Sequence, residues 1–149
     1  MPKMIYVAGP IFSLAEREFL EELVDTLSAE LKLDAKDDFF LAHRDVGDVG
    51  IGGVGRDQAF FDDLNALDEC KIIVGWLDGP DVDSGTAVEL GYAYAKGDKK
   101  IFGLSTDRRK WDQSLEGVAV NNMIWGVCKK KGEIYRTIES LIVGLKRVL

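Results

Sequence analysis

Histidine is nearly absent from this chain, cysteine and proline are scarce, and no apolar run reaches the length of a membrane span. The two cysteines, Cys70 and Cys128, lie far apart with neither CxxC nor Cys/His spacing, so a disulfide framework or a zinc site is not expected and both thiols read as buried and reduced. Basic charge is also short: 19 Lys and Arg stand against 26 Asp and Glu, a net charge of −7. No basic stripe could neutralise a phosphate backbone, which argues against a nucleic-acid polymer as partner. The opening Met1-Pro2-Lys3-Met4-Ile5-Tyr6-Val7 lacks the layout of a signal peptide. With no membrane-spanning run either, a cytoplasmic location is expected. At 149 residues the chain suits a single domain, residues 1–149, able to bury a core without staples or metals.

What is present alternates strand and helix. Ile5-Tyr6-Val7-Ala8 reads as a first strand ending at Gly9-Pro10, and residues 15–33 carry Phe19, Leu20, Leu23, Leu27 and Leu31 at helical spacing. Phe39-Phe40-Leu41-Ala42 is a short second strand. The five glycines in residues 45–55 predict a mobile loop without a regular element. Residues 58–68 fit a helix with Phe60, Phe61, Leu64 and Leu67 turned inward. The run Ile72-Ile73-Val74-Gly75-Trp76-Leu77 is continuously apolar, as a strand covered on both faces should be. A helix over 86–96 then stops at Gly97. Lys100-Ile101-Phe102-Gly103-Leu104 is a fourth strand, Met123-Ile124-Trp125-Gly126-Val127 a fifth, and residues 134–149 form a closing helix. This alternation predicts a parallel sheet with helices on both faces.

Ligands bind at the carboxyl ends of such strands. The turn Asp78-Gly79-Pro80-Asp81-Val82-Asp83-Ser84-Gly85 lies at one, and Glu89 follows it at the start of a helix. Thr86 and Glu89 match the S/T-x-x-E capping box, in which the acid only satisfies backbone donors. The other reading makes Glu89 a nucleophile, held ionised by the helix dipole. Gly79, Gly85 and Gly91 leave room for a ligand or for close helix packing. Three aspartates in the turn would repel a phosphate, which disfavours a phosphate-cradling loop.

Four segments in order, Tyr6-Val7-Ala8-Gly9-Pro10-Ile11-Phe12, Phe61-Asp62-Asp63-Leu64-Asn65, Asp83 through Ala93, and Asn121-Asn122-Met123-Ile124-Trp125-Gly126, give the chain a close resemblance to the nucleoside 2-deoxyribosyltransferase family. The resemblance spans nearly the whole chain. It implies a flavodoxin-like, or Rossmann-like, three-layer α/β sandwich with a five-stranded, mainly parallel sheet. It also implies exchange of the base of 2-deoxynucleosides through a covalent deoxyribosyl-enzyme, with no metal or organic cofactor. Its partners would be small deoxynucleosides and free nucleobases. Glu89 matches the family's nucleophile and Asp63 its base-side acid. Tyr6, Gly9, Phe12, Asp83 and Gly85 match its substrate pocket, and Ser84 falls there too, although Ser84 and Thr86 depart from the family's pattern by making this turn richer in hydroxyls. Asn121, with Met123 beside it, matches a residue that arrives from a neighbouring subunit, which predicts a homodimer or higher oligomer with a shared site. Residues 45–55 would be a lid that excludes water.

Each assignment has a plainer alternative. Asp63 could be a solvent-facing acid beside Asp62, Asp83 an N-cap, the Asn121-Asn122 pair ordinary loop polarity, and Tyr6 and Phe12 core aromatics. His43 reads as structural or merely near the ligand. The runner-up activity is hydrolysis of deoxynucleoside 5-monophosphates, with Lys129, Lys130 and Lys131 reaching the phosphate. Asp83 opposes it, since a carboxylate repels a dianion. A receiver domain phosphorylated at Asp78 fails because the first strand ends in Ala8-Gly9-Pro10-Ile11-Phe12, without the acidic pair that would bind magnesium. A nucleotide-binding module without catalysis is a further alternative, in which Glu89 would matter only for folding.

Overall fold

The computed structural model describes residues 2–111 and 118–149. Five strands, β1 (Ile5–Ala8), β2 (Phe39–Leu41), β3 (Ile72–Trp76), β4 (Lys100–Leu104) and β5 (Ile134–Tyr135), form one sheet in the order β2-β1-β3-β4-β5. Every pairing is parallel. The helices are α1 (Leu14–Leu31), α2 (Ala42–Asp45), α3 (Arg56–Glu69), α4 (Ser84–Lys96), α5 (Asn122–Lys131) and α6 (Ile138–Lys146), with a 3-10 turn at Arg108–Lys110.

The strands are apolar throughout because both faces are covered. On one face Leu20, Leu23, Val24 and Leu27 of α1 and Leu141, Ile142 and Leu145 of α6 pack on Ile5, Val7, Val74 and Phe102. On the other, α3, α4 and α5 pack Ala66, Leu67, Leu90, Ala93 and Cys128 on Tyr6, Ala8, Ile73 and Ile101. Three layers with this strand order make a flavodoxin-like sandwich, whose direction of winding reverses between β1 and β3. The carboxyl ends of those two strands flank the crevice in which such folds hold ligands.

Several expectations are corrected. Residues 123–127 are helical, within α5: the side chain of Asn121 accepts from Met123 N and starts the helix, and Lys129–Lys131 complement the dipole at its end. A short apolar run does not by itself distinguish strand from helix. The edge strand is instead Ile134–Tyr135, and the last helix begins four residues later than predicted, behind a Thr137 cap. In α3 the inward stripe is Ala59, Asp63, Ala66 and Leu67, whereas Phe60 and Phe61 are each 56 % exposed. The larger side chains do not mark the buried phase. Residues 45–55 do contain order. Asp45 closes α2, and beyond it Val49 bridges Val54, Gly53 N donates to Gly50 O, and Val54 N donates to Asp48 O. Gly47, Gly50 and Gly52 adopt φ of 94°, 126° and 80°, which admits this compact turn.

Candidate active site

Tyr6 projects from β1 into the crevice with none of its surface exposed, and its ring stacks on Phe40 with centroids 4.9 Å apart. Its hydroxyl donates to Glu89 Oε1 at 2.8 Å. Burial, then the neighbouring Glu89 and Asp63, push the phenol well above its ordinary range, so Tyr6 remains a neutral donor.

Glu89 does not cap α4. The N-cap is Asp83, whose Oδ2 accepts from Thr86 N at 2.9 Å and from Thr86 Oγ1 at 3.1 Å. Asp83 thus fills the plain capping role foreseen for it while also lining the cleft. With α4 starting at Ser84, Glu89 lies in its second turn, beyond the strongest part of the dipole. One side of the half-buried carboxyl meets the cleft and the remainder is packed by protein. Burial first, then the charges of Asp63 and Asp83, push its pKa up to about 8, against the opposing Tyr6 hydrogen bond. The expectation of a carboxylate kept ionised by the dipole is therefore overturned by desolvation.

Asp63 is half-buried, in helical phase with the buried Ala59, Ala66 and Leu67 of α3. Burial and the adjacent Asp62 raise its pKa to about 6. Tyr6 has one proton to give and it points at Glu89, which leaves the buried Asp63 Oδ1 without a partner. An orphaned buried oxygen at a cleft wall is a group available to a ligand.

These side chains share a cleft of about 170 Å³ with Gly9, Ile11, Phe12, Ala42, Asp83 and Gly85. It opens through Asp63, Gly85 and Glu89 into a groove of about 490 Å³ between α3 and α4, lined by Phe60, Leu64, Leu67, Val88 and Tyr92. A polar notch joined to an apolar slot suits a sugar attached to a flat heterocycle. A Cβ on Gly9 would come within 3.0 Å of Leu20 and 3.3 Å of Trp76, so this glycine lets the strand end pack against α1 as well as edging the cleft. Phe12 is 78 % exposed at the rim and is not a core aromatic.

Asn121 and Met123 do not join this cleft within one chain. They line a separate cavity of about 420 Å³ with Asp81, Leu90 and Gly91, and Ser84 borders both this cavity and the groove. Asn121 Oδ1 accepts from Met123 N at 2.8 Å, and Met123 is 77 % exposed. Lys129–Lys131 prove unsuited to a phosphate role. They end α5 on the same face of the sheet but at its opposite end from the cleft, where Lys131 donates to Gly97 O at the far end of α4 and Lys129 pairs with Glu133. Asp78 is no phosphate acceptor either, since both its oxygens take hydrogen bonds from Thr106 or from the backbone of Asp107. His43 lies on α2 with its side chain buried, and it contacts Glu21 of α1 through Nε2 at 2.8 Å. Sequence reasoning missed Ile11, Ala42 and the α3–α4 groove. The exposed Phe60 and Val88 could have signalled that groove only once the phase of both helices was known.

A family model described as Nucleoside 2-deoxyribosyltransferase matches residues 5–133. No curated protein matches the chain. Among solved structures, a conserved protein from Enterococcus faecalis V583 is 26 % identical, with a TM-score of 0.83 and full coverage of both chains. A 2-desoxiribosyltransferase from Leishmania mexicana is 22 % identical over 95 % of each chain, with a TM-score of 0.68. The CMP N-glycosidase BcmB from Clostridium botulinum is 21 % identical over 99 % of this chain and 100 % of its own, with a TM-score of 0.59. The last two likenesses are of fold.

Proposed function

The chain belongs to the nucleoside 2-deoxyribosyltransferase family, a family of enzymes acting on N-glycosidic bonds of nucleosides, and from that premise we propose that it exchanges the base of 2-deoxynucleosides through a deoxyribosyl ester of Glu89. The observation that carries this reading is the grouping of Tyr6, Glu89 and Asp63 in one cleft, with Tyr6 donating to the carboxyl group of Glu89. Glu89 attacks C1′ as the bond from C1′ to the base nitrogen breaks, through an oxocarbenium-like transition state. The electron pair leaves on the base nitrogen, which takes the proton held by Asp63. A second base then attacks C1′ with its own nitrogen. The ester bond breaks, Glu89 recovers its carboxylate, and Asp63 accepts the proton lost by the incoming base. Two inversions give net retention.

The resting protonation order runs against this chemistry. Glu89, at about 8, holds its proton more tightly than Asp63, at about 6. The reactive form, with Glu89 ionised and Asp63 protonated, has the same net charge as the dominant singly protonated form and differs only in where the proton sits. Desolvation of Asp63 by a bound base, together with the Tyr6 hydrogen bond to Glu89, favours the transfer.

Nucleosides suit the cleft better than nucleotides. Its lining brings Asp63, Asp83 and Glu89 together and includes no lysine or arginine, a field that repels a phosphate dianion. The large exposed surface of Met123, beside Asn121, supports a dimer in which these two residues complete the partner's sugar site. The test is chromatographic: deoxyinosine or thymidine with and without adenine, beside Glu89→Ala and a deoxynucleoside monophosphate. Deoxyadenosine formed only when adenine is present, and lost in the variant, is the expected result. Free base released from the monophosphate alone would replace the proposal with a hydrolase, and inertness towards every substrate would overturn it.

A further inference from the structure

Arg17 and Glu21 stand four residues apart and so lie side by side on the surface of α1. The Arg17 guanidinium is forked between two loops: Nε donates to the Ile11 carbonyl at 2.6 Å, and Nη2 donates to Asp48 Oδ1 at 2.8 Å. One turn along, Glu21 Oε1 meets Nε2 of His43, whose side chain is only 7 % exposed. Ile11 lines one wall of the cleft, and Ala42, the neighbour of His43, lines it as well. One helix face therefore holds both the loop after β1 and the segment that runs from α2 into the glycine-rich turn.

That turn otherwise closes on itself, with Asp48 O accepting from Val54 N and Gly50 O from Gly53 N. Its apolar tip is turned out, with Val49 52 % exposed and Ile51 fully exposed. Asp48 consequently has two duties. Its carbonyl anchors the turn, and its carboxylate joins the turn to Arg17.

We propose that Arg17, with Glu21 as a second point of attachment, is a positioning residue that ties down residues 42–55 and so keeps the cleft-lining Ile11 and Ala42 in place, limiting the access of water to the deoxyribosyl-enzyme; this rests on the base-exchange reading above. In that intermediate C1′ is joined to Glu89. Water attacking C1′ breaks the ester bond and returns the electron pair to the carboxylate, Asp63 takes the proton, and free deoxyribose leaves. An incoming base follows the same course and gives exchange. The two fates differ only in which nucleophile reaches C1′, so the packing of this segment sets their ratio. Asp48 is 74 % exposed and Arg17 38 %, so loss of the pair shifts that ratio several-fold and does not abolish turnover.

The test compares Arg17→Met, Arg17→Lys and Asp48→Asn in the full-length protein supplied with a deoxynucleoside and an excess of a second base. Arg17→Met should raise free deoxyribose over exchanged nucleoside by about two- to five-fold, with donor cleavage within about two-fold of the parent. Asp48→Asn keeps the Ile11 contact and should give a smaller rise. Arg17→Lys, which retains charge without the fork, should fall between them. Amide hydrogen exchange over residues 48–54, measured without substrate, should quicken in the same order. Lys146→Ala, which removes another ion pair of α1, that with Glu30, should change neither readout. An unchanged product ratio, or unchanged amide exchange in Arg17→Met, overturns the proposal. A parent protein that cleaves no deoxynucleoside sinks the base-exchange reading instead, and the amide-exchange arm still decides whether Arg17 holds the segment.

Discussion

Replacing Glu89 should make the protein more stable, increasingly so as pH rises. Glu89 has a folded-state pKa of about 8 against 4.5 for an unperturbed glutamate. Between these values the folded chain holds a proton that the unfolded chain has lost, so stability falls as pH rises through the window. The difference amounts to about 1 kcal/mol at pH 5 and about 3 kcal/mol at pH 7. Water at the cleft mouth screens part of it, leaving about 2 kcal/mol at pH 7. Glu89→Gln is neutral at every pH, fits the same space and still accepts the Tyr6 hydrogen bond. For a chain of this length about 2 kcal/mol corresponds to roughly 5 °C in Tm. Thermal unfolding of both proteins at matched concentration, from pH 5 to 8, should show Glu89→Gln gaining stability over the parent, by little at pH 5 and by several degrees at pH 8. Base exchange should meanwhile drop by about 10³-fold or more. A helix-capping role predicts the opposite sign, a loss of about 1 kcal/mol. A Tm difference that is flat across this range, or that favours the parent, would refute the reasoning.

Tyr6→Phe removes the one hydrogen bond that favours ionised Glu89, and should cut kcat/KM by about ten-fold or more while moving the alkaline limb of the pH profile upward. In the parent, kcat/KM should follow a bell with limbs near 6 and 8, since only the singly protonated Glu89–Asp63 pair is competent; a flat profile between pH 5 and 9 contradicts this assignment. Asp63→Asn should slow release of poorly leaving bases more than of activated ones, and an equal loss for both would remove Asp63 from proton transfer. Asn121→Asp keeps an oxygen to cap α5 but loses its side-chain donors. Mixed after unfolding with Glu89→Ala, it should restore about a quarter of the parent activity if the site is shared across a two-fold dimer, whereas no recovery would place each site within a single chain.

The sheet was legible because buried parallel strands have a simple signature: β1, β3 and β4 are short apolar runs bounded by turns, and alternation with helices leaves few ways to connect them. Phase was harder to read. In α3 two phenylalanines suggest an inward face that the structure assigns to Ala59, Asp63, Ala66 and Leu67. The error hid the reason for Asp63's partial burial, which is that it lies in phase with the inward face of its helix. The edge strand has two residues and so carries no periodicity at all. Arg17 gave no signal, because its partners, Ile11 and Asp48, are brought together only by the folded loops.

The S/T-x-x-E signature occurs twice, at the start of α1 and within α4, and means different things in each. At Ser13 it is a complete capping box, with Glu16 N donating to the serine hydroxyl and Ser13 N donating to the Glu16 carboxylate. At Thr86 the same four-residue pattern makes no box. Asp83 begins the helix three residues earlier, and Thr86 is itself buried and bonded to Asp83. Glu89 is left with no backbone donor to satisfy, one turn too far from the helix start to serve as a cap. A glutamate released from capping, desolvated, and met by a buried tyrosine hydroxyl has no structural task to account for its cost. Asp83's occupation of the N-cap is thus what converts a common local motif into a candidate nucleophile, and local pattern alone cannot separate the two because the deciding residue lies outside the motif.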